Sequence, residues 1–159
     1  MRPTVQEIGT WLIRPEVPYA AVHNAAVGAG WAGGPVTLTP PLIRDEPELA
    51  RFRRDDERAT YEMNPVAMLR VWRARAAPPV GLPLIHAAEV LAMLDQTAST
   101  DPSEGLLRAV LAAGELRVVK AVPRLHVIRH RRLPPVVTDA VDASLSRITR
   151  QRRGSERRL

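Results

Sequence analysis

Prolines limit how long any helix or strand of this chain can be. The chain has 15 prolines in 159 residues, and pairs of them stand at positions 40–41, 78–79 and 134–135. Proline lacks a backbone N–H and its ring clashes with the preceding helical turn, so it begins or ends an element and rarely lies within one. The sequence therefore predicts several short elements joined by turns rich in proline and glycine.

Most segments between these prolines have the apolar spacing and the end signals of helices. Thr4-Val5-Gln6-Glu7 fits a capping box, in which a hydroxyl and a carboxylate satisfy early backbone N–H groups. Asp101-Pro102-Ser103-Glu104 is a second start signal, with proline at the first helical position. The predicted helices cover approximately residues 4–12, 18–28, 45–63, 65–76, 83–94 and 102–113, and a last one begins at Pro134-Pro135.

Other stretches are rich in residues that favour strands. Residues 116–122 and 124–128 are predicted to pair as a hairpin, and residues 36–39 to form a short strand. The predicted fold class is α+β and predominantly α-helical. It consists of a single compact helical domain over residues 1–150, with a small C-terminal β-hairpin and a final basic helix, and an Arg-rich tail over residues 151–159. Because only 4% of the residues are aromatic, aliphatic side chains are expected to fill the core.

Basic residues gather at the C-terminal end of the chain. Residues 1–116 carry 11 Arg against 14 Asp and Glu, a net charge of −3. Residues 117–159 carry 11 Arg and Lys120 against three acidic residues, a net charge of +9. Lys120 is the only lysine, a bias that a GC-rich coding background also produces. A basic end on an acidic body predicts an anionic partner.

Nine arginines of this basic end are the candidate binding residues. They are Arg129, Arg131, Arg132, Arg147, Arg150, Arg152, Arg153, Arg157 and Arg158. Guanidinium groups pair with phosphate oxygens and release counterions, so the first hypothesis is a small nucleic-acid-binding module directed at the phosphate backbone. No Phe, Tyr or Trp follows Trp72, so base stacking by this end is not expected and binding has little sequence preference.

The same charge pattern supports a second hypothesis. The chain is then a structural subunit of a larger assembly, an oligomeric ring or a virion-type particle, whose basic C-terminal arm docks on acidic neighbouring subunits. A third explanation, a solubilising tail that reflects coding bias, needs no partner. The predicted partners are therefore nucleic acid or an acidic protein surface, within a homo-oligomer or larger assembly, and no membrane.

No motif predicts catalysis, a cofactor or a metal site. The chain has no cysteine, and therefore no thiolate ligand or nucleophile. Residues 28–33 spell GxGxxG, but a predicted helix precedes them and a predicted strand follows, the reverse of the dinucleotide-binding order. His126 and His130 lie four apart in a predicted strand, roughly 13 Å along its axis, too far for one metal. Asp55-Asp56-Glu57 is interpreted as a solvated helix face. We expect a protein that is not an enzyme.

The sequence also predicts where the protein resides. The N-terminal residues, Met1-Arg2-Pro3-Thr4, lack the apolar core of a secretion signal. No stretch approaches the roughly 20 apolar residues that cross a bilayer. The expected location is the cytoplasm, or a particle assembled in the cytoplasm.

Overall fold

The computed structural model of the chain describes residues 8–37, 46–97 and 104–157. The strands of the described residues are β1 (Gly9–Ile13), β2 (Ala32–Val36), β3 (Leu49–Arg54), β4 (Glu57–Asn64), β5 (Leu69–Ala74) and β6 (Leu84–Ile85). The α-helices are α1 (Tyr19–Gly28), α2 (Ala87–Thr97), α3 (Glu104–Glu115), α4 (Val122–Arg129) and α5 (Pro135–Arg157), and a 3-10 turn covers Val119–Ala121.

The predicted fold class is wrong in its proportions. Over the described residues the structure has five α-helices and a six-stranded antiparallel sheet. It is a mixed α+β protein with a large sheet, and the small C-terminal hairpin is not there. The chain divides into two compact units, Met1–Leu84 and Ile85–Leu159. The domain boundary at residue 150 stays a prediction.

The sheet belongs largely to the first unit and has the order β2-β3-β4-β5-β1-β6. Strands β2 to β5 form an antiparallel meander, and β1 pairs antiparallel with β5. The predicted helix over residues 4–12 is therefore wrong where it reaches β1, and residues 4–7 lie outside the described residues. The predicted helix from Pro18 to Gly28 is confirmed as α1, with Val22 and Ala26 buried.

The β3–β4 hairpin replaces the helix predicted over residues 45–63. Its side chains alternate between buried and exposed positions, with Ala50 and Phe52 inward on β3. A two-residue turn joins the strands, and its residues Asp55 and Asp56 both have positive φ, 45° and 67°. Positive φ at both positions matches the right-handed twist of a tight hairpin, and aspartate tolerates this conformation better than most residues. Period-two burial and this turn together exclude a helix here.

Strand β5 replaces the helix predicted over residues 65–76. The side chain of Asn64 accepts hydrogen bonds from the backbone N–H groups of Val66 and Ala67, at 3.1 and 3.3 Å. These are the bonds of a helix N-cap, but here they close a turn, after which Met68 adopts a φ of 54° and β5 begins. The cap bonds therefore form, but a strand and not a helix follows them.

An aromatic cluster fills the space between α1 and the sheet. Phe52 stacks on Trp72 with ring centroids 5.1 Å apart, and Trp31 meets Trp72 edge-on at 5.7 Å. Tyr19 of α1 lies 5.8 Å from Tyr61 of β4. Such rings bury large apolar areas and prefer these offset and edge-on geometries. The core of this unit is thus aromatic, in contrast to the aliphatic core expected from composition.

The second unit is helical and agrees better with the sequence. The helix predicted over residues 102–113 and the one predicted from Pro134-Pro135 are confirmed as α3 and α5. The helix predicted over residues 83–94 is confirmed from Ala87 onward as α2, but it is wrong at residues 84–85, which form strand β6. The hairpin predicted over residues 116–128 is wrong, because residues 119–121 form the 3-10 turn and α4 follows directly. Pro123 stands in the first turn of α4, where a missing N–H costs nothing.

Helices α3 and α5 pack at very close range. A Cβ added to Gly114 of α3 would lie 2.5 Å from the Oγ of Ser144 and 2.8 Å from its Cα. Ser144 is almost fully buried, and its hydroxyl donates a 2.9 Å hydrogen bond to the Val110 carbonyl. Gly114 lies within α3, and the absence of a side chain there is what permits this contact.

Candidate functional site

The candidate arginines are distributed over α4, the connection to α5 and α5 itself. Arg129 ends α4, and Arg131 and Arg132 lie in the connection to α5. Arg147 and Arg150 lie on α5 itself. Arg152, Arg153 and Arg157 belong to the last turns of α5, and Arg158 lies outside the described residues.

A groove of about 550 Å³ between α4 and α5 brings part of this set together. It is lined by His126, Arg129, Asp142, Leu145, Ser146, Thr149 and Arg150. The α5 positions in this lining are 142, 145, 146, 149 and 150. They are related by steps of three and four residues, so they share one helical face. Two guanidinium groups, an imidazole and two hydroxyls therefore face one groove, and all of these groups bind phosphate oxygens.

Arg129 already has a partner within the groove. Its Nε donates to the Oδ1 of Asp142 at 2.6 Å, and both side chains are about half exposed, at 48% and 49%. Exposed ion pairs of this kind contribute little, about 0–1 kcal/mol, because water solvates both charges well. A phosphate group with a higher charge can therefore compete with Asp142 for this guanidinium.

Arg147 faces a different neighbour. Its Nη1 donates to the Oε1 of Glu115, at the end of α3, at 2.6 Å. The structure thus turns Arg147 to the α3 side of α5, whereas Arg150 lies on the α4 side. Arg147 and Arg150 are close in sequence and carry the same charge, but they lie on different sides of α5.

A second ion pair ties α4 to α2. The guanidinium of Arg124 donates from Nε and Nη2 to both carboxylate oxygens of Asp95, at 2.6 and 3.1 Å. This hydrogen bond holds the pKa of Asp95 below its ordinary value. Arg124 also donates to the Lys120 carbonyl at 3.2 Å.

One buried arginine of the first unit, Arg70, has a structural role. Arg70 of β5 is only 7% exposed and donates to Tyr61 Oη at 2.5 Å, to both oxygens of Glu46 at 3.0 and 2.7 Å, and to the Pro15 carbonyl at 3.2 Å. Its Nε, Nη1 and Nη2 atoms each donate to an oxygen of the protein, and a buried charge requires such partners. Arg70 therefore links β4, β5 and two loop segments.

The weaker sequence motifs have structural explanations. Residues 28–33, which spell GxGxxG, run from the end of α1 into β2. The helix therefore precedes the strand, the reverse of the dinucleotide-binding order, as the sequence predicted. Asp55 and Asp56 form the hairpin turn, and not a helix face. His126 lies in α4 and His130 caps it, so the strand assumed for them is wrong. Within the residues that the structure describes, no group of three or more His, Asp or Glu side chains could hold a metal ion.

A second set of arginines lies outside the residues that the sequence predicted for binding. Arg51 and Arg53 of β3 and Arg58 of β4 lie on the sheet face opposite the aromatic cluster, where they line a groove of about 440 Å³. The signal was available in the sequence Ala50-Arg51-Phe52-Arg53, in which apolar and charged residues alternate with a period of two. The same residues also fit a charged helix, in which these side chains would be dispersed.

Comparison with known proteins gives no guidance on function. No protein-family model, no curated protein and no solved structure matches the chain. None of the helices in the described part of the chain is long and apolar enough to cross a membrane.

Proposed function

We propose that the protein is a non-enzymatic module that binds nucleic acid through its phosphate backbone. The observation that carries the proposal is the α4–α5 groove, where Arg129 and Arg150 share a surface with His126 and two hydroxyls. The surrounding unit is strongly basic, with 13 Arg and Lys against 8 Asp and Glu over residues 85–159, a net charge of +5. A concentrated positive charge of this kind attracts a polyanion at long range.

The composition of the second unit favours contacts to phosphate over contacts to bases. It contains no Phe, Tyr or Trp on which a base could stack. Arginine forks and hydroxyls at the groove contact phosphate oxygens, which carry no sequence information. The proposed binding is therefore tolerant of sequence and falls steeply with salt.

The test is fluorescence anisotropy of a labelled DNA duplex and a labelled single strand, titrated with the full chain at several salt concentrations. We expect Arg150→Gln to weaken duplex binding and to reduce the slope of log K against log salt by about 0.9, the loss of one phosphate contact. Arg117→Gln is the matched control, because Arg117 is exposed, belongs to the same unit and does not line the groove. Absence of binding at low salt, or equal weakening by both variants, contradicts the proposal.

A structural subunit of a larger assembly is the second candidate function. Three valines in the same region, Val119, Val127 and Val136, are 51%, 63% and 49% exposed. A protein partner would cover such side chains, whereas nucleic acid would not. Size-exclusion chromatography with light scattering, before and after nuclease treatment, separates the two candidates. An oligomer that survives nuclease favours the assembly, and co-eluting nucleic acid that nuclease removes favours the binding module.

A further inference from the structure

The outer face of the β3–β4 hairpin carries three arginines at neighbouring positions. Arg53 and Arg58 are direct cross-strand partners, and Arg51 lies two residues before Arg53 on the same strand. Facing partners in an antiparallel pair have Cβ atoms about 5 Å apart. Positions two apart on a strand are separated by about 6.7 Å. Three long, flexible guanidinium side chains therefore start within reach of a single anion.

The side chains of these arginines form no hydrogen bond or ion pair with any other residue that the structure describes. All three are exposed, and like charges directly opposite each other destabilise a strand pair. The nearest acidic side chains do not compensate them, because Glu62 bonds Arg73 and the turn residues Asp55 and Asp56 lie at the hairpin tip. The face thus keeps a concentrated positive charge at some cost to the hairpin.

The groove between these side chains has the size of a small-molecule site. Its volume is about 440 Å³, and its lining includes Leu49, the three arginines, Thr60 and Glu62. Small-ligand pockets in proteins occupy about 300–1,000 Å³. Because the groove is open and shallow, charge and hydrogen bonds, and not enclosure, must supply the recognition.

From this arrangement we propose that the outer face of the β3–β4 hairpin binds a small soluble ligand bearing a phosphate dianion or diphosphate group. A carboxylate has one charge and satisfies one arginine fork, which leaves the other two arginines repelling each other. A phosphate dianion has three acceptor oxygens and nearly two charges, and matches several forks at once. Thr60, opposite Arg51 in the strand pair, adds a hydroxyl donor. The site is independent of the α4–α5 groove and does not rest on the function proposed for it.

The experiment is isothermal titration calorimetry of the full chain with inorganic pyrophosphate at low salt. We expect saturable binding that Arg53→Gln and Arg58→Gln each weaken tenfold or more. Arg117→Gln in the second unit removes the same charge and is expected to leave the affinity unchanged. Arg150→Gln, in the α4–α5 groove, is likewise expected to leave pyrophosphate binding unchanged, which separates this site from the nucleic-acid proposal.

A charge-reversal variant keeps the test independent of folding. Arg53→Glu would face Arg58 as an opposite charge, so it is expected to raise the melting temperature and to abolish pyrophosphate binding. Adenosine diphosphate is expected to bind and succinate to bind at least tenfold more weakly. Absence of pyrophosphate binding, equal weakening by Arg117→Gln, or equal affinity for succinate would overturn the proposal. Displacement of pyrophosphate only by long oligonucleotides, and not by adenosine diphosphate, would also overturn it, in favour of a nucleic-acid surface.

Discussion

Two neighbouring aspartates determine the geometry of the β3–β4 hairpin. Asp55 and Asp56 both have left-handed backbone conformations, which cost an L-residue about 1–2 kcal/mol, somewhat less for aspartate. Hairpin turns with two such residues usually contain glycine. The chain instead places carboxylates here, so the turn stores a small strain in the native state.

We expect Asp56→Gly to raise the free energy of unfolding by about 0.5–1 kcal/mol, because glycine has no Cβ to clash at positive φ. Asp56→Asn is the control, since asparagine also tolerates this conformation and removes the same charge. Urea denaturation followed by tryptophan fluorescence measures both variants. If Asp56→Asn stabilises as much as Asp56→Gly, charge and not backbone strain explains the effect.

The buried phenol of Tyr61 links stability to alkaline pH. Burial raises the pKa of Tyr61 above its ordinary value of 10.0, although the guanidinium of Arg70 opposes the shift. The neutral phenol is therefore favoured in the folded state. Its contribution to stability is complete below pH 10 and is lost as the pH rises through the higher pKa of the folded protein.

Tyr61→Phe is expected to make the stability less sensitive to pH above 10. At neutral pH the same variant is expected to lose about 1–3 kcal/mol, because a buried Arg70 donor is left without its acceptor. Urea midpoints measured below and above pH 10 give both effects. Tyr19→Phe is a useful comparison, since burial also raises the pKa of Tyr19 and its hydroxyl has no hydrogen-bond partner among the described residues. An unchanged alkaline decline in Tyr61→Phe contradicts this assignment.

At the scale of elements, the crossing of α3 and α5 depends on one missing side chain. Alanine normally stabilises a helix relative to glycine by about 1 kcal/mol. At Gly114 the added Cβ would overlap Ser144, and overpacking a tight core costs about 1–3 kcal/mol. The clash falls on the residue whose hydroxyl joins the two helices, so relief by rotation would break that bond.

We therefore expect Gly114→Ala to lower the free energy of unfolding by about 1–2 kcal/mol, the clash minus the gain in helix propensity. Gly28→Ala in α1 is the matched control, because nothing lies within 4 Å of the position its Cβ would take. The control is expected to be neutral or slightly stabilising. Thermal unfolding followed by helical ellipticity compares the two, and a stabilising Gly114→Ala would show that the helices can separate freely.

Helices α2, α3 and α5 were largely predictable from local signals in the sequence, whereas the strands, which depend on their partners, were not. Helices α3 and α5 begin at proline-rich start signals and have apolar stripes, so local rules suffice. Strands β3 and β4 have short apolar repeats with arginines between them, a pattern that also fits a charged helix. The turn that decides between the two contains Asp55-Asp56, which lacks the usual glycine. Strand register, set by partners elsewhere in the chain, is invisible to local reading.

For the candidate sites, too, local features were predictable from the sequence and features that depend on tertiary structure were not. Charge counting identified Arg129 and Arg150, but their shared groove exists only because α4 is a helix and not the predicted strand. Arg53 and Arg58 were not predicted as a site because they become neighbours only when β3 and β4 pair. The net charge of −3 over residues 1–116 does not reveal them, since Asp55 and Asp56 lie at the hairpin tip and Glu62 is paired with Arg73.

At the scale of the whole molecule, the cores of the two units consist of different types of side chain. All Phe, Trp and Tyr residues lie between positions 11 and 72, within Met1–Leu84. The second unit buries Leu, Val, Ile and Ala, with Leu106, Leu125 and Ile148 among its most enclosed side chains. The expectation of an aliphatic core holds for the second unit and is wrong for the first.

This division makes the second unit almost transparent in the near ultraviolet. The near-ultraviolet absorbance and the intrinsic emission of the chain arise from the six aromatic side chains of the first unit. A proteolytic fragment that begins at Ile85 would pass a near-ultraviolet detector unseen, and only peptide-bond absorbance, staining or mass would register it. Conversely, any strong near-ultraviolet signal that accompanies such a fragment must come from a molecule bound to it.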